Sequence, residues 1–285
     1  MSQNHFTLSF PLKSSVDAKA VAQELPPLMP DLFRTEDAIG TVHYSRFTVL
    51  SDRPLLFLAD FDGEFGTLML DLAKRAGPVF DAIFKHLNEA PPVPVANNAD
   101  AFAEWAAEHL LSPAYVFSAY PGPTVKEIKA MAAAADVAGT TQLLPFLVIL
   151  PGRSRLAFAE MQLILRTMGM VGKIDRDMTS VGTPHFAQFV PLEDQQLGFF
   201  TVYDGAFDKY IMDFTKNIGE VFDVIFKFTK DPPPSPCRKY VQEFIDFAAG
   251  ASRDAIGFYQ GYPGLSNQDV KALIADSRSQ SAASG

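Results

Sequence analysis

The sequence predicts an α+β fold built from one unit used twice, and three observations predict it. Gly40 to Phe47 (GTVHYSRF) recurs as Gly182 to Phe189 (GTPHFAQF), Gly77 to Lys85 (GPVFDAIFK) as Gly219 to Lys227 (GEVFDVIFK), and Tyr120-Pro121-Gly122 as Tyr262-Pro263-Gly264, all at one spacing of 142 residues. Self-similarity at a fixed spacing marks a duplicated structural unit. The apolar pattern also switches between strand alternation and helical spacing at matching places in the two copies. Finally, the strand Pro54 to Phe61 is apolar on both faces, Leu55 and Phe57 on one and Leu56 and Leu58 on the other, so both sides of its sheet need cover.

The elements follow in order. Phe6 to Leu12 and Pro145 to Leu150 are apolar, extended and closed by proline, and are predicted first strands. A helix is predicted over Ser15 to Leu25, with Ser14 or Ser15 as N-cap and Pro26-Pro27 as its stop, and over Ser154 to Met170 in the second copy. His43 to Ser51 with Pro54 to Phe61, and His185 to Glu193 with Leu197 to Tyr203, form hairpins around two-residue turns at Asp52-Arg53 and Asp194-Gln195. After Asp-Gly a long helix carries the stripe Phe65, Leu68, Leu72, Val79, Phe80, Ile83, Phe84, repeated by Phe207, Tyr210, Phe214, Val221, Phe222, Ile225, Phe226. Proline connectors, a shorter helix (99–111; 238–249) and a fourth strand (114–120; 255–262) complete each copy. This order is the ferredoxin-like split βαβ unit. Two such repeats packed sheet to sheet cover both apolar faces. The boundaries expected are 1–130 for the first repeat, 131–140 for a linker, 141–276 for the second and 277–285 for a disordered tail.

A chain of 285 residues with 48% hydrophobic content buries a real core. The net charge of -9 and the lack of a Lys/Arg cluster exclude nucleic-acid and anionic-membrane partners. The lone Cys237 forms no internal disulfide and is expected to be a buried, idle thiol. Met1 to Phe10 has no leader pattern, and Leu143 to Leu150 is too short to span a bilayer. A cytoplasmic protein with a small-molecule partner is expected, as a monomer or a homodimer.

The sharpest site inference comes from the hairpins. Two-residue turns place His43 directly across from Asp62 and His185 across from Asp204. A carboxylate beside an imidazole fixes its tautomer and raises its basicity, as catalytic or ligating histidines require. A structural reading stands beside this one: each aspartate begins the long helix and serves as its N-cap, with the histidine locking strand to cap. The copies differ in that Arg46, Asp60 and Tyr44 become Gln188, Val202 and Phe186. Alternation puts Arg46 on the strand face opposite to His43, so the two share a pocket only across a bulge or a second sheet. Tyr120 and Tyr262 end the fourth strands, while His5, His86 and His109 have no counterpart in the other copy and are expected to be incidental. No metal-ligand cluster, P-loop, dinucleotide fingerprint or serine elbow is present in the sequence.

Two ferredoxin-like units packed sheet to sheet resemble the dimeric α+β barrel superfamily, which includes dye-decolorising peroxidases, chlorite dismutases, haem-degrading monooxygenases and small stress-response proteins. The chain is most similar to duplicated, largely uncharacterised peroxidase-like proteins that carry His-Phe-Ala-Arg-Phe/Trp, an Asp-Gly strand end and Tyr-Pro-Gly. Here these are His43 to Phe47, Asp62-Gly63 and Tyr120-Pro121-Gly122, and His185 to Phe189, Asp204-Gly205 and Tyr262-Pro263-Gly264. The distal Gly-x-x-Asp-Gly of dye-decolorising peroxidases is not kept, its first position being Ala59 or Thr201. The resemblance implies a haem-dependent, peroxidase-like oxidoreductase. In it His43, Asp62 and Arg46 are catalytic, Arg46 stabilising developing negative charge, and His185 and Asp204 hold the cofactor. The alternative is a non-enzymatic protein that holds a small hydrophobic ligand between its sheets, with the His-Asp pairs as structural locks.

Overall fold

The computed structural model describes residues 2–50 and 54–283. The first copy runs β1 (Gln3–Phe10), α1 (Ser15–Glu24), α2 (Met29–Ile39), β2 (Val42–Val49), β3 (Leu55–Asp62), α3 (Phe65–Phe84), α4 (Ala99–Glu108), β4 (Tyr115–Ser118) and α5 (Val125–Ala134). The second repeats it as β5 (Leu143–Pro151), α6 (Arg155–Met170), α7 (Lys173–Val181), β6 (Pro184–Leu192), β7 (Gln196–Asp204), α8 (Phe207–Phe226), α9 (Val241–Ala251), β8 (Ile256–Gln260) and α10 (Asn267–Ala283). The fold class is α+β, with a duplicated ferredoxin-like arrangement and two four-stranded antiparallel sheets.

The sheets are not each made from one copy. Their orders are β1-β3-β2-β8 and β4-β6-β7-β5, so each fourth strand joins the sheet of the other copy. The chain accordingly divides into one compact unit of residues 1–111, 122–133 and 254–263 and another of 112–121, 134–253 and 264–285. Contiguous boundaries at 130 and 141 therefore do not describe the packing. Each exchanged strand first touches its own copy, through the bridges Leu8 to Leu110 and Val148 to Ser252. It then leaves that edge and finds its ladder along β6 or β2. In the first copy Pro113, which has no N–H, interrupts the original edge at this point.

Local signals account for most elements. Ser14 and Ser154 cap α1 and α6 by accepting from Asp17 and Ala157 N–H groups at 3.2 and 3.1 Å. Gly40 and Gly182, left-handed at φ 69° and 80°, end α2 and α7, two helices the sequence reading left out. In the first unit Phe6, Leu8, Phe10, Phe57 and Phe61 pack against Leu72, Phe80 and Ile83 of α3; in the second Phe146, Phe189 and Phe199 pack against Phe214, Ile218 and Phe222 of α8. The opposite faces of both sheets are buried as well, for example at Leu56, Leu58, Phe200 and Val202. The stretch 277–283, expected to be disordered, continues helix α10 from its start beside Ser266, its Ser/Ala composition being compatible with a helix once nucleated.

Candidate functional site

The hairpin turns decide how each histidine meets its aspartate. In the second copy the turn has three residues, Glu193 to Gln195, with Asp194 and Gln195 at φ 52° and 59°, rather than two. That displaces the pairing by one residue, so Phe186 faces Val202 and Tyr44 faces Asp60. The two-residue turn expected at Asp52-Arg53 lies outside the described residues. A bulge between Val42 and Tyr44, and another between Pro184 and Phe186, then makes His43 and His185 the extra residues of their strands. Bulges re-aim side chains. Here the bulge turns each histidine toward the sheet face that carries Asp62 or Asp204.

The result is one relay, built twice. In the first unit His43 Nε2 lies 3.0 Å from Asp62 Oδ1, Tyr262 Oη lies 2.9 Å from His43 Nδ1, and Asp62 Oδ2 accepts from Val125 N–H at 2.7 Å. In the second the corresponding distances are 2.5 Å for His185 to Asp204, 2.6 Å for Tyr120 to His185 and 2.8 Å for Asn267 N–H to Asp204. An ionised carboxylate only accepts, so each Nε2 carries the proton and each Nδ1 accepts from the tyrosine hydroxyl. The tyrosine rings meet the imidazoles edge-on at 5.7 Å in both units. His43 and His185 are fully buried, and Tyr120 and Tyr262 nearly so.

The aspartates cap a helix, but not the long one. Helices α3 and α8 start at Glu64 and Ala206 with no side-chain cap. The carboxylates serve the first N–H of α5 and α10, which follow Tyr-Pro-Gly. Those helices carry capping boxes: Thr124 and Glu127 exchange bonds of 3.3 and 2.7 Å, and Ser266 and Asp269 bonds of 3.1 and 2.8 Å. Thr-x-x-Glu and Ser-x-x-Asp are visible in the sequence and mark the missed helices. Each relay thus fastens an exchanged strand end, its Tyr-Pro-Gly turn or the helix beyond such a turn to a hairpin.

Arg46 belongs elsewhere. On the face of β1-β3-β2-β8 away from α3, Asp60 lies directly between His5 on β1 and Tyr44 on β2, and Tyr44 faces Gln260 on β8. His5 Nδ1 is 2.6 Å from Asp60 Oδ1. Arg46 stands in the next row, opposite Leu58. It is 4% exposed, and its Nε meets no acceptor among the described residues. Burial pushes its guanidinium down to about 10, while the Asp60 charge pushes the other way. It therefore stays a cation at neutral pH. In the second unit the same places hold Pro145, Val202, Phe186 and Gln188, a largely apolar face. His5, expected to be incidental, is thus part of the polar row, and Asp60 and His5 join Arg46 as candidate residues that the repeat comparison marked only in part.

The histidines implied as haem ligands do not suit that role. His43 and His185 use both ring nitrogens within their relays, which leaves no lone pair for iron without breaking a buried bond. Cys237 is buried and its thiol is pushed up by burial and by Asp223, away from the thiolate a metal needs. Addition of haem to the purified protein is expected to give no Soret shift that depends on His43 or His185; a sharpened band lost in His43→Ala or His185→Ala would restore the axial-ligand reading. Among the described residues no group of three or more His, Cys, Asp or Glu is placed to hold a metal ion, and no helix is long and apolar enough to cross a membrane.

No family model and no curated protein matches the chain. Among solved structures it is similar to a candidate monooxygenase from Lactobacillus acidophilus NCFM, at 9% identity and a TM-score of 0.39, covering 92% of this chain and 97% of that one. A second, a candidate monooxygenase from Fusobacterium nucleatum subsp. nucleatum ATCC 25586, shares 8% identity at a TM-score of 0.43 over 93% of this chain and 97% of that one. At this level of likeness the activity in those names does not transfer to the chain.

Proposed function

We propose that the protein binds a small anionic molecule on the first unit's sheet face, at His5 and Asp60 and, in the neighbouring row, Arg46, and that the two Tyr-His-Asp relays are structural. One observation carries this reading: a buried arginine with an orphaned Nε stands in one copy of a duplicated fold, where the other copy has glutamine. A buried cation without its full set of acceptors costs several kcal/mol and persists where a partner compensates it. A planar carboxylate or phenolate is that partner, because the guanidinium fork matches its geometry. The Asp60-His5 pair beside it supplies a second, opposite polarity that orients the ligand. The relays point the other way: they recur unchanged in both units, and every member but the partly exposed Asp204 is buried, as fastenings are. The haem-dependent peroxidase reading finds no support in these residues.

Thermal unfolding with benzoate, salicylate and 4-nitrophenolate tests the proposal. At least one of the three is expected to raise Tm saturably in the wild type and to have no effect on Arg46→Gln, the residue that the second copy carries. Without ligand, Arg46→Met with Asp60→Val and His5→Leu is expected to be more stable than the wild type by about 1–4 kcal/mol, since apolar side chains replace a buried charged cluster. Equal shifts in the wild type and Arg46→Gln would refute the site.

A further inference from the structure

The second unit carries a groove on its surface. It lies along α8 and the start of α9, has a volume of ≈ 540 Å³ and is lined by Met212, Thr215, Lys216, Arg238 and Val241. That volume falls within the range of small-molecule sites. One turn further in, α8 and α9 meet over an aromatic seam that includes Phe214, Phe244 and Ala248 and leaves a void of ≈ 10 Å³. Phe244 and Ala248 are buried in that seam, so the apolar wall that the groove itself offers is made by Met212 and Val241.

The first copy shows the same helix pair closed. There Ala96 and Ala99 replace Arg238 and Val241, and a Cβ built on Gly77 would lie 2.9 Å from Ala96 N. At the equivalent Gly219 the nearest atoms are Arg238 Cγ and Cys237 Cβ, at 3.5 and 3.6 Å. Trp105, which packs at 5.1 Å on Phe84 and 5.3 Å on Phe10, is replaced by the smaller Phe247. Substitutions in the second copy thus bring Arg238 to the groove beside Lys216, a lysine that the first copy also carries as Lys74. Arg238 is only loosely engaged, 3.5 Å from an exposed Glu220 that also meets Lys173, and Lys216 has no ion pair among the described residues.

We infer that this groove binds a single-chain amphipathic carboxylate, its head between Lys216 and Arg238 and its chain along Met212 and Val241. The chain's net charge of -9 disfavours anions elsewhere on its surface, so the local pair of cations selects the end at which the head sits. The apolar wall of Met212 and Val241 requires a chain beyond the head: acetate satisfies the cations and leaves the wall uncovered. The site is separate from the Arg46 row and does not depend on that reading.

Isothermal titration of the full chain with submicellar laurate tests it. Saturable binding at one site is expected, weakened about tenfold in each of Lys216→Ala and Arg238→Ala, as loss of a charge-assisted contact implies. Val241→Trp fills the groove and is expected to abolish binding, and Arg46→Gln to leave it unchanged. No saturable heat, equal affinity for acetate and laurate, or indifference to the three groove variants would overturn the inference. So would loss of binding in Arg46→Gln, which would place laurate at the other face. Sedimentation with phosphatidylglycerol vesicles that fails in the groove variants without any laurate would assign the groove to a lipid surface and overturn it too.

Discussion

Asp62→Ala is expected to destabilise the protein by about 3–5 kcal/mol, and Asp204→Ala by a similar amount, because each leaves two buried donors without an acceptor. In the first unit these are His43 Nε2–H and Val125 N–H; in the second, His185 Nε2–H and Asn267 N–H. Both histidines are fully buried, so their stranded Nε2–H groups are shielded, although Asp204 itself is partly exposed. Tyr262→Phe and Tyr120→Phe remove a single hydroxyl and are expected to cost about 1–2 kcal/mol each. Urea unfolding gives the size of these effects, and amide exchange gives their place. In Asp62→Ala the first turn of α5 loses its anchor, so protection of Val125 to Ile128 is expected to fall well before that of β3. A loss below about 1 kcal/mol, or α5 protection unchanged from the wild type, would mean that the relay is not the fastening described here.

That the relay is a fastening follows from the exchange of strands, and the exchange is what the sequence could not reveal. The repeat spacing and the apolar periods place the first three strands, the hairpins and the long helices close to where they lie. The β2 and β6 edges, however, offer the same backbone groups and nearly the same residues, Gly-Thr-x-His against Gly-Thr-x-His. A ladder made by backbone groups does not record which copy supplies the partner strand. The His-Asp proximity was legible, although by a different route: the expected two-residue turn gave direct opposition, whereas a longer turn plus a bulge delivers the contact. The tyrosine partners were not legible, because they come from the exchanged strands. Arg46 was legible as a difference between copies. Its company was only half legible, since His5 lies in β1, where the copies align at another spacing that sets it against Pro145.

Between pH 4.5 and 8 the stability of the wild type is expected to decline, and Glu36→Gln is expected to remove most of that decline. Glu36 on α2 is completely buried; Ser45 on β2 donates to its Oε1 at 2.6 Å, and its Oε2 has no partner among the described residues. Tyr259, paired with Ser45 across β2 and β8, faces the same place, its hydroxyl directed to Asp37 at 3.4 Å. Among the described residues no cation balances the acid, and burial pushes its carboxyl up from 4.5 to about 8, with Ser45 opposing weakly. The folded protein therefore holds a proton that the unfolded chain releases above 4.5. Stability from this group is complete below 4.5 and is lost as the pH rises through 8, with a total change on the order of a few kcal/mol. Other carboxylates act in the opposite sense and outside this window: Asp37, held down by Lys129, and Glu127, held down by Thr124, lose their contributions only on acidification below their ordinary values. The second copy shows the apolar solution, with Met178 and Ala187 at the equivalent positions and both buried. Glu36→Met with Ser45→Ala installs it, and this variant is expected to exceed the wild type by the largest margin at pH 8 and by little at pH 4.5. Urea midpoints collected across that range decide the matter, and a slope that survives intact in Glu36→Gln would show that some other group carries the proton.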